Sequence, residues 1–245
     1  YFGADLGVVV NRVQPDTPWV AVNVYFEQNS DPNSYPLDAR FAFEEASGFH
    51  AQDRLVAIDL DDCMLYELFG GVHEADGSWS AVQALRHDLR SNELHEEGWR
   101  SSTASDAPGP VHDGSGMPLY PGLVRHDEAS TGHIDHAIRL RLPRSRRAYL
   151  PPASWAASQY SSPDYPPMGA RFRLHANVDC GAMPTQAAAI CRALQKHGMI
   201  LGENGDEFGL EGELDANWAP AALQALATLT AGDFIALETG EIRAY

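Results

Sequence analysis

Apolar and polar residues alternate along several short stretches of the chain, which is the period-two pattern typical of β-strands. The alternation predicts strands at residues 6–13, 19–26, 133–142 and 171–178. Two further apolar runs, residues 55–58 and 64–69, flank the acidic tetrapeptide at 59–62 and predict a β-hairpin.

A second, helical spacing of apolar residues is found in three places. Residues 184–197 place Ala188, Cys191 and Leu194 on one face and end at Gly198, as a helix would. Residues 220–229 predict a second helix, and a single helical turn is expected between Asp127 and Gly132. The pattern therefore predicts a mainly β fold with two or three helices, antiparallel and β-sandwich or jelly-roll-like. At 245 residues the chain is predicted to form a single domain spanning 1–245.

Composition and charge narrow the classes of partner. The chain has 34 acidic and 17 basic residues, a net charge of −17, and Lys196 is its one lysine. Such a field repels a phosphate backbone, so nucleic acid is not expected as a partner. No apolar run approaches the roughly 18 residues of a membrane span, so no membrane association is expected.

The three cysteines predict one disulfide and one free thiol. Cys180 and Cys191 flank a short loop and the start of the predicted helix, which makes them the favoured pair. Cys63 lies in an apolar run and is interpreted as a buried thiol. Neither C-x-x-C nor H-E-x-x-H occurs, so neither a metal nor a cofactor is predicted.

Basic residues concentrate between residues 125 and 175. This stretch contains eight arginines and four carboxylates, which gives it a local charge of +4. The strand pattern puts five basic side chains of this stretch on outward faces: Arg139, Arg141, Arg171, Arg173 and His175. These side chains, together with Arg125, predict a groove for a polyanion or a uronate sugar, because the guanidinium fork holds carboxylates bidentately. The alternative is that the arginines pair with carboxylates of neighbouring strands.

Ordered motifs in and around this stretch carry a family resemblance. They are GLVRHDE at 122–128, HAIR at 136–139, RRAY at 146–149, PPMG at 166–169 and GMI at 198–200. As an ordered set they resemble a family of uncharacterised secreted bacterial proteins that often occur with carbohydrate-binding modules. The resemblance implies a secreted, extracellular protein in a glycan-rich setting. It also implies a departure, because Trp155 stands where the family usually has a histidine, while Glu203 keeps a carboxylate where the family has aspartate.

Several residues of this stretch could carry chemistry. Asp127 or Glu128 could pair with Glu203 as acid and base across a glycosidic bond, although capping of the helical turn is the alternative for the first two. His136 falls on the apolar face of its predicted strand and is interpreted either as a core histidine or as a proton carrier in a cleft.

Elimination is the other chemistry that these residue types permit. An arginine would hold the uronate carboxylate while Tyr149 or His175 moved the proton, and Trp155 could stack on a sugar ring. The leading hypothesis is therefore a secreted carbohydrate-active domain that cleaves a polysaccharide by hydrolysis or β-elimination. The polysaccharide could be an acidic one. The runner-up is a non-catalytic glycan-binding, cell-surface or structural protein.

Overall fold

The computed structural model describes residues 2–27, 30–31, 34–44, 54–93, 114–238 and 240–244. The chain divides into two compact units. Unit 1 contains Tyr1–Gly7 and Asp113–Tyr245, and unit 2 contains Val8–His112. Each unit has its own cluster of buried apolar side chains, so each is described separately. The single domain predicted over 1–245 stays a prediction.

The described residues of unit 2 contain eight short strands. They are β1 (Val10–Arg12), β2 (Trp19–Val24), β3 (Ser34–Pro36), β4 (Arg54–Asp59), β5 (Met64–Phe69), β6 (Val72–His73), β7 (Trp79–Ala81) and β8 (Gln83–Asp88). They form two four-stranded sheets, in the orders β1-β4-β5-β8 and β3-β2-β7-β6. The predicted hairpin is confirmed as the antiparallel pair β4–β5, and its turn is closed by Asp59 Oδ1, which accepts from the amides of Asp61 and Asp62.

One apolar core joins the two sheets of unit 2. Leu55, Tyr66 and Leu68 of the first sheet are buried in the same cluster as Tyr35 and Trp79 of the second. Alternate residues along each strand point into this cluster, as the period of a strand dictates. Unit 2 is therefore sandwich-like, with the core between two sheets.

Unit 1 contains all three α-helices of the described chain and eight strands. In chain order they are α1 (His126–Thr131), β9 (Ile138–Leu142), β10 (Arg146–Tyr149), β11 (Pro167–Met168), β12 (Arg171–Leu174), α2 (Thr185–Lys196), β13 (Met199–Asn204), β14 (Gly209–Leu210), α3 (Pro220–Leu226), β15 (Phe234–Leu237) and β16 (Arg243–Ala244). Five strands form a sheet in the order β14-β9-β13-β12-β15, and three form a second sheet in the order β11-β10-β16.

Helix α2 and the disulfide follow the prediction closely. The helix buries Ala188, Cys191 and Leu194 against the core of unit 1 and ends before Gly198, whose φ of +75° favours glycine. Cys191 forms a disulfide with Cys180, which ties the helix to the short 3-10 turn before it. Both the helix and the predicted pairing are confirmed. Cys63 is a free thiol, although it is only partly buried.

The mainly β fold class is confirmed, with three helices among the described residues. Antiparallel pairings predominate there, but four pairs are parallel: β1–β4, β2–β7, β9–β13 and β10–β11. Within the same described ranges, no helix is long and apolar enough to cross a membrane.

All four strands predicted from the alternation are shorter than it suggested, and β2 lacks only residues 25 and 26 of its predicted range. The first strand covers only Val10–Arg12. Strand β9 begins at Ile138, so the interpretation of His136 as a strand residue is wrong. Strand β12 ends at Leu174, because a turn follows in which the Val178 amide donates to the His175 carbonyl oxygen. His175 therefore lies beyond the polar strand face on which it was predicted. Residues 101–117 are rich in Ser, Asp, Gly and Pro, which predicts a long surface loop. Residues 101–113 of this stretch lie outside the described residues.

Candidate functional site

Three of the predicted site residues meet beside helix α1, and we call Arg125, Glu128 and His136 the α1 cluster. The Arg125 Nη2 donates to Glu128 Oε1 at 2.5 Å, and His136 Nε2 lies 3.1 Å from Glu128 Oε2. His136 Nδ1 donates to the Ala137 carbonyl oxygen at 2.9 Å. Both ring nitrogens of His136 therefore face acceptor oxygens. Each oxygen of the Glu128 carboxylate therefore has its own cationic or donating partner.

The pKa of Glu128 follows from these partners. Burial of the carboxyl is the largest effect and would raise its pKa, but the hydrogen bond from His136 and the charge of Arg125 outweigh it. The pKa of Glu128 is consequently lowered, and the group stays ionised. A general acid for glycosidic cleavage needs a raised pKa, so this environment favours a structural anion over a proton donor.

The first amide of α1 is capped by a residue distant in sequence. Glu213 Oε1 accepts from the His126 amide at 2.6 Å, whereas Asp127 Oδ1 accepts from the Glu128 amide. Burial raises the pKa of Glu213, and the negative charges of Asp127 and Asp215 act in the same direction. The predicted turn ended by Gly132 is confirmed, while the side-chain cap at its first amide comes from Glu213.

Glu203 is held by a different set of groups. Its Oε2 accepts from the Gly114 amide at 3.0 Å, and its Oε1 accepts from the Asn204 amide at 2.8 Å. It lies on β13 opposite Arg141 of β9, after an irregularity in the strand pairing. Glu203 thus fastens the segment at Gly114 to the sheet, and its pairing with Asp127 or Glu128 as acid and base stays a prediction.

The structure contradicts the outward placement of Arg139. Its side chain is 2% exposed and forms an ion pair with Glu211, which is 5% exposed. Its Nη2 also donates to the Gly202 carbonyl oxygen at 2.7 Å. The strand alternation failed here because the carboxylate that neutralises Arg139 comes from a segment far away along the chain. Arg139 is therefore part of the protein interior and is unavailable to a polymer.

The remaining predicted residues are dispersed over unit 1. Tyr149 is buried in the core cluster, and Arg173 is exposed on β12. The Trp155 amide donates to the Ser115 carbonyl oxygen, which joins the segment around residue 155 to the one around 115. Arg141 packs over Gly205, which directly follows β13.

Arg171 lies in a cleft that we call the arginine cleft, with a volume of about 830 Å³. Its walls come from β10, β12, the end of β15, and the proline-rich loop before β11. The charged and aromatic residues that line it are Arg146, Asp164, Tyr165, Arg171, Phe172 and Glu238. A cleft of this size falls within the range of small-ligand sites.

Within the described part of the chain, the two arginines of the cleft are free of carboxylate partners. Neither Arg146 nor Arg171 forms a side-chain hydrogen bond or ion pair among the residues that the structure describes. Both side chains are partly buried. A guanidinium that is partly removed from water and has no counter-ion has its full set of donors available to a ligand.

An aromatic group stands at the edge of the same cleft. The Arg144 Nη1 donates to the Tyr165 hydroxyl at 3.0 Å, and its guanidinium lies 5.4 Å from the Tyr160 ring centroid. The two tyrosine rings are 5.3 Å apart. The hydrogen bond to Tyr165 is the main cause of a raised pKa at Arg144, so this arginine stays cationic.

Sequence reasoning missed most of this cleft. Arg146 was part of the basic stretch but was not singled out, and Glu238 lies in a C-terminal segment with no local signal. The visible signal was the Arg-rich run at 144–147 followed by the Tyr/Pro-rich loop at 160–167. What could not be read from the chain is that β15 would bring its end to this loop.

A second polar network lies on the other side of α1. The Ser130 hydroxyl and the Gln186 amide nitrogen each lie 3.0 Å from His126 Nε2, and the Asn217 carbonyl oxygen lies 3.1 Å from it. Gln186 also accepts from the Ala219 amide. The network links α1, α2 and the loop before α3. Because Nε2 is shared among three groups, its role is to join these elements.

The protein is thus mainly β, and the described part of unit 1 carries an open cleft lined by two arginines and two carboxylates. Comparison of the chain with protein-family models, curated proteins and solved structures finds no match. The family resemblance of the ordered motifs therefore stays a prediction, and the function has to be argued from the site itself. In the part of the chain that the structure describes, no group of three or more His, Cys, Asp or Glu residues is placed to hold a metal ion.

Proposed function

We propose that this protein is a secreted glycan-binding protein whose arginine cleft holds an acidic polysaccharide through its carboxylates. The observation that carries the proposal is the pair Arg146 and Arg171, both partly buried and both without a carboxylate partner in the described chain. In a chain of net charge −17, arginines left unpaired beside an open cleft are suited to an anion from outside.

The rest of the cleft supports a sugar ligand over a simple anion. Tyr165 offers an apolar ring face, on which the C–H groups of a pyranose can pack. The exposed carboxylates of Asp164 and Glu238 can accept hydrogen bonds from sugar hydroxyls, and they disfavour ligands of very high charge density. The combination of two guanidinium groups, two carboxylates and an aromatic ring suits a polymer with spaced carboxylates, such as a polyuronate.

The disulfide supports the extracellular part of the proposal. Cys180–Cys191 crosslinks unit 1, and such bonds persist mainly in oxidising compartments. This agrees with the export implied by the motif resemblance, although it is not specific to glycan binding.

The binding test compares Arg146→Gln and Arg171→Gln with Arg147→Gln, a matched control on an exposed neighbour outside the cleft. Calorimetric titration with oligogalacturonate should give a saturable Kd for the native chain and the control. Each cleft variant should bind roughly ten- to a hundredfold more weakly, since a charge-assisted hydrogen bond contributes about 1.5–3 kcal/mol.

Salt and a neutral polymer complete the test. Binding should weaken as salt rises, because screening over a Debye length of about 8–10 Å reaches an open cleft. Neutral glucan should bind far more weakly than polyuronate. Equal affinity of the three variants for oligogalacturonate would refute the assignment of the cleft.

A second candidate function, β-elimination, is favoured by one observation at the same place. Tyr165 lines the cleft, and its hydroxyl accepts a hydrogen bond from Arg144. The tyrosine oxygen is thereby held at the cleft beside a guanidinium, within reach of a bound sugar, and a proton-transferring group needs such a position. In such a reaction Arg171 or Arg146 would neutralise the uronate carboxylate. The tyrosine oxygen would remove the C5 proton, and the C5–H electron pair would form the C4–C5 double bond as the C4–O bond breaks. The departing oxygen would take up a proton from the tyrosine hydroxyl or from water and become the hydroxyl of the new chain end.

This second candidate is tested separately from binding. The native chain is incubated with neutral and uronic-acid polysaccharides while reducing ends and the ultraviolet absorbance of unsaturated products are followed. Elimination predicts that both signals rise together and that Tyr165→Phe abolishes them with oligogalacturonate binding retained. Reducing ends without absorbance would indicate hydrolysis, and silence in both with retained affinity would leave glycan binding as the function.

A further inference from the structure

A second concavity of unit 1 has a chemistry opposite to that of the arginine cleft. We call it the apolar pocket. It has a volume of about 460 Å³ and lies among the N-terminal segment, β14, α3 and β15. Phe2, Leu6, Phe208, Leu226 and Phe234 are among its lining residues, and Glu207 is the charged one.

The pocket walls consist of side chains that the fold leaves partly exposed. Leu6 is 51% exposed, and Phe2, Phe208, Leu226 and Phe234 are all incompletely buried. Phe208 and Phe234 form one wall, with ring centroids 5.8 Å apart. Water in such a hollow finds few polar partners, so its displacement by a hydrocarbon is favourable. These features are those of a small-molecule pocket with an apolar lining.

Charge selects among the apolar molecules that could enter. Glu207 is exposed at the pocket and forms no hydrogen bond or ion pair within the described ranges. The net charge of −17 adds a general repulsion of anions. A ligand with a cationic group at one end can place that group beside Glu207 while its chain occupies the pocket.

We propose that the apolar pocket binds a hydrocarbon chain that carries a cationic head group. The proposal is independent of glycan binding, because the pocket shares no lining residue with the arginine cleft. Failure of either proposal therefore leaves the other intact.

The test uses the neutral fluorophore N-phenylnaphthylamine and two competitors with the same ten-carbon chain, decyltrimethylammonium and decyl sulfate, each below its micelle concentration. The fluorophore should bind saturably with enhanced emission. Decyltrimethylammonium should displace it at a lower concentration than decyl sulfate. In Glu207→Gln this preference should shrink, with binding of the neutral fluorophore unchanged.

Matched leucine variants place the binding in the pocket. Leu6→Asn removes an exposed lining side chain and should weaken fluorophore binding by roughly five- to tenfold, as expected for the loss of much of one leucine's contact. Leu214→Asn changes a leucine that is also exposed but lies outside the pocket, and it should bind as the native chain does. Thermal melting curves of both variants show that the fold is retained.

Three results would overturn the proposal. The first is a lack of saturable fluorophore binding, including the case in which self-association of the chain, seen by sedimentation, excludes the probe. The second is displacement by decyl sulfate at the same or a lower concentration than by decyltrimethylammonium. The third is an equal response of the Leu6→Asn and Leu214→Asn variants.

Discussion

The arginines of unit 1 fall into two sets that differ in what they contact. Arg125 and Arg139 are each paired with a glutamate, Glu128 and Glu211. Arg146 and Arg171 line an open cleft and have no such partner among the described residues. Both sets come from the same basic stretch of sequence. The difference shows that local basic charge does not by itself identify a binding surface. The absence of a nearby counter-ion is the better indicator of which arginines can bind a ligand.

The basic stretch had two interpretations, a ligand-binding groove and a set of internal ion pairs. Each interpretation therefore applies to different residues. Arg139 lies on a strand inside the five-stranded sheet, where Glu211 reaches it from the segment after β14. Arg146 and Arg171 lie on β10 and β12 and line the arginine cleft. The first set is expected to contribute to stability and the second to binding, and the predictions below are designed to break that division.

The largest effect is expected from breaking the buried pair. Arg139→Ala leaves the Glu211 carboxylate buried without its cation, which should lower the free energy of unfolding by about 3–5 kcal/mol. Urea denaturation followed by circular dichroism measures the change. The variant should also lose the hydrogen bond to the Gly202 carbonyl oxygen.

The double variant Arg139→Met with Glu211→Leu is the control for that prediction. Because both charges are removed together, it should recover much of the lost stability, as apolar replacements of buried ion pairs often do. A double variant as unstable as Arg139→Ala would show that the hydrogen bonds of Arg139, rather than the unpaired charge, dominate.

An intermediate effect is expected in the α1 cluster. Glu128→Gln removes the anion that faces Arg125 and His136 and should cost about 1 kcal/mol at neutral pH, since the cluster is partly exposed. The pKa of Glu128 is lower in the folded chain than in the unfolded one, so the unfolded chain binds more protons in the acidic range. Its contribution is therefore present above the usual carboxyl pKa and lost as pH falls through the folded pKa.

The measurement is a series of urea titrations from pH 7 down into the acidic range. The stability difference between the native chain and Glu128→Gln should shrink toward acid. A difference that stays constant over the whole range would contradict the role of the ionised carboxylate.

The smallest effect on stability is expected in the arginine cleft. Arg171→Ala breaks no ion pair or side-chain hydrogen bond in the described chain, so the free energy of unfolding should change by less than about 0.5 kcal/mol. The same variant should lose affinity for an acidic glycan. A destabilisation as large as that of Glu128→Gln would show that Arg171 stabilises the fold as Arg125 and Arg139 do. The proposed difference between the two sets of arginines would then be wrong.

Local sequence patterns predicted the elements whose cause is local. The hairpin β4–β5, helix α2 with Gly198 after it, and the Cys180–Cys191 disulfide all follow from periodicity, stop signals and short spacing. The turn of α1 ending at Gly132 is of the same kind.

Features that depend on distant partners could not be read in this way. Arg139 occupies an outward position in the alternation, yet Glu211 makes its burial possible. His136 lies before β9 rather than in a strand, and its ring is held by Glu128 and by the Ala137 carbonyl oxygen. The arginine cleft needs the end of β15 beside the proline-rich loop, and no local pattern indicates that meeting.

Gly202 in strand β13, and Gly205 directly after it, also limit how this strand can align with β9. A Cβ on Gly202 would lie 2.5 Å from the Arg139 Cζ, and one on Gly205 would lie 2.2 Å from the Arg141 Nε. A shift of β13 by one residue along β9 would place the side chain of Leu201 or Glu203 in the space over Gly202 that the Arg139 guanidinium occupies. The two glycines therefore favour the observed register of the parallel strands β9 and β13 over a register shifted by one residue.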